Sequence, residues 1–181
     1  MNMAALWKLP LAFICENNLY GMGTSNARAA ANIDYFARGD TIPGFRCDAQ
    51  NVLMVRETMK WAKGWILQNG PLCIEYRTYR YHGHSMSDPG ITYRTREEIK
   101  HVRDYRDPIG LVKHMLMENN WATEKELKDI EKDIRNSVEA DDEKLIKDPE
   151  PTFEDMYAHV AVTKHYIRGV THDLTSHSYD Y

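Results

Sequence analysis

Between Tyr79 and Arg96 the chain gathers two imidazoles, two serines, three arginines and an aspartate into one short run, Tyr79-Arg80-Tyr81-His82-Gly83-His84-Ser85-Met86-Ser87-Asp88-Pro89-Gly90 continuing to Tyr93-Arg94-Thr95-Arg96. Gly83, Pro89 and Gly90 deny this segment regular structure, so its side chains stand on a loop. Histidine titrates near neutral pH, and a loop histidine can move a proton or donate to a developing anion. Ser85, next to His84, offers a hydroxyl that a kinase can modify. Arg80, Arg94 and Arg96 can clamp Asp88 and fold the loop into one ordered form. Plainer readings stand beside these. Loops are polar by default, and the arginines can be simply solvated. His82 and His84 lie two residues apart and could both ligate a transition metal, but no cysteine or further histidine stands near them in sequence.

A second group of polar side chains is Glu16-Asn17-Asn18, which follows the apolar run Leu11-Ala12-Phe13-Ile14-Cys15. Such a run suits a central parallel strand covered on both faces. The asparagines then fall at its carboxyl end, where open α/β sheets bind ligands. Alone, paired asparagines mark a turn more readily than a site. Gly21 and Gly23 are expected to make a tight turn just beyond them.

The elements that would hold these groups are legible. Met3 to Lys8 reads as the tail of a helix. A short strand is expected near Phe45 to Asp48. Asn51 can cap a helix running to about Gln68, with Val52, Val55, Met59, Ala62 and Ile66 forming one apolar stripe. Asn69-Gly70-Pro71 stops it, and Leu72-Cys73-Ile74-Glu75-Tyr76 reads as the next strand, giving a βαβ-like order. Beyond the loop, Thr95 with Glu98 and Thr123 with Glu126 are capping boxes. Asp107-Pro108 is a cap followed by a first-turn proline. A long charged helix is expected from Glu124 to about Ile146. The fold class is therefore α/β, a parallel sheet flanked by helices and followed by a helical region. The residues from Thr171 to Tyr181 lack periodicity and read as a flexible tail.

Composition narrows the function classes. The chain has 181 residues and a net charge of −4, with acidic and basic residues interspersed. That leaves no basic footprint for nucleic acid. No stretch is apolar enough to span a bilayer as a helix. The three cysteines cannot all pair, and Cys15 and Cys73 sit in apolar runs, which favours reduced thiols.

The loop from His82 to Gly90 closely resembles the phosphorylation loop of the alpha subunits of pyruvate dehydrogenases, in the thiamine-diphosphate-dependent 2-oxoacid dehydrogenase family. Met3-Ala4-Ala5-Leu6-Trp7-Lys8-Leu9-Pro10 and Ile14-Cys15-Glu16-Asn17-Asn18-Leu19-Tyr20-Gly21-Met22-Gly23-Thr24-Ser25 resemble the second half of that family's cofactor motif. The likeness runs from residue 2 to about residue 170. It implies a partial thiamine-diphosphate-binding domain over residues 1–96, with the phosphorylation loop at 80–96 and a helical region over 97–170. It implies magnesium ligands at the amide oxygen of Asn18 and the carbonyl of Tyr20. His84 would lie over the cofactor diphosphate as the catalytic histidine. Ser85, Thr92 and Ser25 match regulated phosphorylation positions, and Arg80, Asp88 and Arg94 would order the loop. The expected whole is an enzyme of the mitochondrial matrix that decarboxylates pyruvate and passes the acetyl group to a lipoyl carrier. It would form an alpha2-beta2 heterotetramer with a beta subunit and meet a lipoyl acyltransferase core, a regulatory kinase and a phosphatase.

One departure is plain. The family motif opens with Gly-Asp-Gly, whose aspartate is the remaining magnesium ligand, and this sequence has no Gly-Asp-Gly. The expectation is the C-terminal part of a longer alpha subunit, inactive by itself. The alternative is a truncated, non-catalytic paralogue or fragment that binds the beta subunit or the regulatory kinase.

Overall fold

The computed structural model describes residues 1–153 and 155; the expected tail at 171–181 lies outside them. The chain divides into two compact units, residues 1–127 and 128–181. The first unit is built on a parallel sheet. Strands β1 (Ala12–Asn17), β4 (Gly44–Asp48) and β5 (Leu72–Arg77) pair in the order β1-β5-β4. Leu72 to Tyr76 is buried residue by residue, as a strand with neighbours on both sides requires. Register aligns Ile14 with Ile74 and Phe45 with Ile74, so the carboxyl ends of all three strands lie together. Two-residue strands β2 (Tyr20–Gly21) and β3 (Thr24–Ser25) form a small antiparallel hairpin directly after β1, leading into a short helix, α2 (Asn26–Ala29).

Helix α3 (Val52–Asn69) connects β4 to its neighbour β5, the expected βαβ crossover. Asn51 caps it, its side chain accepting from the N–H groups of Leu53 and Met54 at 3.1 Å. Ala62 is fully buried against the sheet, and Val55, Trp65 and Ile66 pack around Cys47, Leu72, Ile74 and Tyr76. The expected stripe is only partly used. Val52 and Met59 remain exposed, because the contact centres on Ala62, whose small side chain lets the helix approach the sheet closely. The opposite face of β4 and β5 carries a 3-10 turn at Tyr35–Arg38.

Strand β1 pairs with β5 alone among the described residues, and Ile14 is 45% exposed. The N-terminal helix α1 spans Asn2–Leu6 and exposes Met3 and Leu6.

Helices α4 (Arg96–Arg106) and α5 (Pro108–Glu118) follow the loop that leaves β5. Asp107 caps α5, accepting from the N–H groups of Ile109 and Gly110 at 2.9 and 3.0 Å. Gln50 fixes their junction to the sheet: its amide donates to the carbonyl of Arg106 at 3.0 Å and its oxygen accepts from Thr78 at 2.9 Å. Helix α6 (Glu124–Leu145) begins at a complete capping box, with Glu126 accepting the Thr123 N–H at 2.7 Å and Thr123 Oγ1 accepting the Glu126 N–H at 3.3 Å. No described helix is long and apolar enough to cross a membrane.

Candidate functional site

Two segments meet at the carboxyl ends of β1 and β5: the turn and hairpin from Asn17 to Ser25, and the loop from Thr78 to Thr95. Asn17 is buried, and its amide donates to Glu75 Oε1 at 2.8 Å while its own oxygen accepts the Leu19 N–H at 3.0 Å. Asn18 Oδ1 accepts the Tyr20 N–H at 3.1 Å. These two asparagine turns force the backbone around, and the residues in the left-handed region are Leu19 (φ 73°) and Met22 (φ 53°). The expected glycine turn at Gly21 and Gly23 is therefore made by non-glycine residues. The side-chain oxygens of Asn17 and Asn18, the Asn26 N–H on the Leu19 carbonyl at 2.8 Å and the Arg80 guanidinium on the Met22 carbonyl hold them there. Backbone held this way is typical of functional turns.

Beneath this turn lies a buried charge cluster that the apolar pattern of β5 conceals. Glu75 has no solvent exposure, yet it accepts from Asn17, from the Phe36 N–H at 3.2 Å and from Arg46, whose Nε lies 3.1 Å away. Arg46 also pairs with Asp34 at 2.6 Å. Burial opposes ionisation of Glu75, but the bonds from Asn17, Arg46 and Phe36 outweigh it and hold the carboxyl below its ordinary range. The sequence signal was there: a lone acid inside an otherwise apolar strand must be paired if it is buried.

Arg94, 5% exposed, is the keystone of the loop. Its Nε donates to the Gly90 carbonyl at 2.8 Å, its Nη2 to the carbonyls of His82 and Tyr81 at 2.8 and 3.2 Å, and its Nη1 to the carbonyl of Arg80. The guanidinium carbon also lies 5.3–5.5 Å from the ring centres of Tyr20, Tyr79 and Tyr93. Gly90 sits at φ 72°, a conformation that side-chain-bearing residues rarely adopt.

Asp88 organises the turn at the tip. One carboxylate oxygen accepts the His84 N–H at 2.8 Å and the Tyr93 hydroxyl at 2.8 Å, and the other accepts the Gly90 N–H at 2.7 Å. The N–H bonds from His84 and Gly90, in that order, hold its carboxyl below the ordinary aspartate range. The expected clamp of Asp88 by arginines takes a different form. Arg80 reaches Asp88 through Tyr93, whose hydroxyl accepts from Arg80 Nη2 at 3.1 Å, while Arg94 takes backbone carbonyls. Arg96 stands exposed in the first turn of α4. A backbone carbonyl in a closing loop is a nearer partner for a planar five-donor group than a carboxylate already taken by amides.

His82, His84, Ser85 and Thr92 are exposed, and Ser25 is half-buried at the start of α2. Ser85 Oγ lies 3.1 Å from Ser87 Oγ, and the Ser85 carbonyl accepts the Asp88 N–H at 3.0 Å, so Ser85 opens a tight turn with its hydroxyl outward. Among the described residues no three His, Cys, Asp or Glu side chains gather as a metal cluster, which leaves the reading of His82 and His84 as metal ligands without a third partner. What the Asn18–Tyr20 turn offers is neutral amide and carbonyl oxygen, a hard donor set that suits magnesium rather than zinc or copper. Tyrosines matter here more than sequence reasoning foresaw: Tyr20 and Tyr79 both donate to Glu98 Oε1, at 2.9 and 2.7 Å.

Residues 1–154 match the family model described as Dehydrogenase E1 component. Over 160 residues, 88% of this chain, it is 54% identical to a protein of Sminthopsis macroura named Pyruvate dehydrogenase E1 component subunit alpha, mitochondrial, and covers 44% of it. It is 53% identical to the somatic form of that subunit from Bos taurus and 52% identical to the Homo sapiens somatic form, covering 41% of each. The chain thus spans about two fifths of the length of the relatives it matches. A family match over residues 1–154 places this chain in the dehydrogenase E1 component family.

Proposed function

We propose that this chain supplies part of the thiamine-diphosphate site, and the regulatory loop, of a mitochondrial-matrix pyruvate dehydrogenase alpha subunit. The observation that carries this reading is the meeting of the Asn17–Ser25 turn with the Thr78–Thr95 loop at the carboxyl ends of neighbouring parallel strands. Asn18 Oδ1 and the Tyr20 carbonyl would hold magnesium, and the ion would hold the cofactor's diphosphate. Both ligands are neutral, so the ion's charge calls for a carboxylate, and the family's Gly-Asp-Gly would be its source. The bound cofactor supplies the nucleophilic carbon that releases carbon dioxide from a 2-oxoacid.

The chain's own residues do the rest. Asp88 fixes the backbone at His84 through its N–H, leaving the imidazole free at the tip of the loop to face the diphosphate and pass protons. Arg94 keeps the loop closed. Ser85 lies outward, where a kinase can reach it. A phosphate there adds nearly two negative charges beside Asp88, whose bonds to His84, Gly90 and Tyr93 shape the tip. Repulsion of a carboxylate substrate and release of the loop both follow. Thr92 and Ser25 are secondary modification positions. The partners are a beta subunit, completing an alpha2-beta2 heterotetramer, a lipoyl acyltransferase core, and the kinase and phosphatase.

The test is a chimera in which this chain replaces the matching 160 residues of the Bos taurus subunit, assembled with the beta subunit. Magnesium- and thiamine-dependent turnover of pyruvate is expected. A chimera that assembles and binds its partner but releases no carbon dioxide supports the rival reading, a non-catalytic partner of the beta subunit or the kinase.

A further inference from the structure

We propose that Glu98 is a positioning residue that ties the Tyr20 hairpin to the loop bearing Ser85, so that the hairpin keeps its shape only while the loop is closed. The inference rests on the reading above for the role of the Tyr20 carbonyl, and its own content is the tie. Two sequence motifs of the same form behave differently in this chain. At α6, Glu126 completes its capping box by reaching back to Thr123. At α4, Thr95 Oγ1 accepts the Glu98 N–H at 3.1 Å, but the Glu98 carboxylate is turned away from its own helix end. It accepts two phenols on one oxygen: Tyr20 at 2.9 Å, from the hairpin, and Tyr79 at 2.7 Å, from the root of the loop.

The position of Glu98 depends in turn on the loop. It lies four residues beyond Arg94, which is held by the carbonyls of Arg80, Tyr81, His82 and Gly90. The Arg94 guanidinium lies over the ring of Tyr20 itself. A second stitch runs in parallel. Arg80 donates to the Met22 carbonyl, and Tyr93 lies so close to Gly23 that a Cβ there would meet its ring at 3.0 Å. Both phenols share the one carboxylate oxygen, so the hairpin and the root of the loop are held by the same atom. Opening the loop withdraws Arg94 and shifts Glu98, and the Tyr20 side chain loses its anchor beside the carbonyl that would face the ion.

Hydrogen exchange on the full chain tests the tie without any cofactor. Glu98→Ala should speed exchange of the amides of residues 20–26 about tenfold or more, the size of one charge-assisted hydrogen bond. Tyr20→Phe should do the same in the hairpin, and the double variant should add little. Glu98→Gln should restore protection, since its amide oxygen still accepts. Thr95→Ala removes the helix cap without touching either phenol. If it loosens the hairpin as much as Glu98→Ala does, Glu98 acts only through its helix and the proposal fails; unchanged hairpin exchange in Glu98→Ala also overturns it. In the chimera, Glu98→Ala should bind magnesium thiamine diphosphate about tenfold more weakly. Equal binding by variant and wild type refutes this inference alone, whereas a wild-type chimera that binds none refutes the functional reading on which it rests.

Discussion

Replacing Glu75 with glutamine keeps the shape of the side chain and removes its charge, so the change isolates the buried cluster under the Asn17 turn. Glu75 receives three hydrogen bonds, Oε1 from Asn17 Nδ2 and Oε2 from the Phe36 N–H and Arg46 Nη2, and its Oε1 also pairs with Arg46 Nε at 3.1 Å. A glutamine offers one oxygen, and its NH2 must then face two of these donors. Each buried donor left unpaired costs about 1–3 kcal/mol, and breaking a buried ion pair from one side costs about 3–5 kcal/mol. The Arg46 side chain is 31% exposed and keeps Asp34 at 2.6 Å, so the ion-pair share is discounted. A loss of about 2–4 kcal/mol follows. Urea unfolding of the chain by tryptophan fluorescence reads it well, because Trp65 packs on the same core. With m of about 2 kcal/mol per molar, the midpoint should fall by about 1–2 M. The pH dependence has a definite direction. A carboxyl depressed by folding contributes its full stability above the ordinary glutamate value of about 4.3 and loses it as pH falls through the lower folded value. The gap between wild type and variant should therefore be widest near neutral pH and close in acid. A loss under about 0.5 kcal/mol at pH 7, the range of ordinary surface substitutions, would mean that Glu75 is not charged and paired in the folded protein.

Three further outcomes are expected. Arg94→Lys keeps a positive charge but cannot serve four carbonyls from one plane, so limited proteolysis should cut between Arg80 and Arg96 at least several-fold faster than in wild type. Ser85→Glu should lower turnover of the chimera only in part, because one carboxylate carries less charge than a phosphate; kinase-phosphorylated protein should be less active and more readily cleaved in the loop, and equal cleavage of both forms would remove loop opening from the account. His84→Ala should leave urea unfolding unchanged, since the side chain is exposed, and cut turnover roughly a hundredfold or more; a loss below about threefold would take His84 off the catalytic list.

The local frame was legible because its signals are local. Asn51, Thr95, Asp107 and Thr123 cap the helices they were expected to cap, and β4, α3 and β5 fall where composition and periodicity put them. What escaped is long-range. Nothing in the run Leu11–Cys15 says that it pairs with β5, since strand order is a property of pairing partners. Thr95 and Glu98 have the spacing of a capping box, but whether Glu98 turns back to its helix or out to two phenols depends on Tyr20, 78 residues away. Arginine near an aspartate suggested an ion pair; the fold instead satisfied Asp88 with amides and a tyrosine and left Arg94 to the carbonyls. The site residues Asn18, Tyr20, His84 and Ser85 came from resemblance to a family and not from the physics of their spacing. The structure adds the neighbours through which such residues could act.

Whether the turn after β1 holds the ion proposed to carry the cofactor is read by calorimetric titration of magnesium thiamine diphosphate into the chimera, with and without Asn18→Ala. Micromolar, magnesium-dependent binding is expected of the wild-type chimera, with a loss of at least about tenfold in the variant, as removal of an orienting or ligating group at a metal site typically gives. Equal affinity of the two proteins would show that Asn18 does not hold the ion.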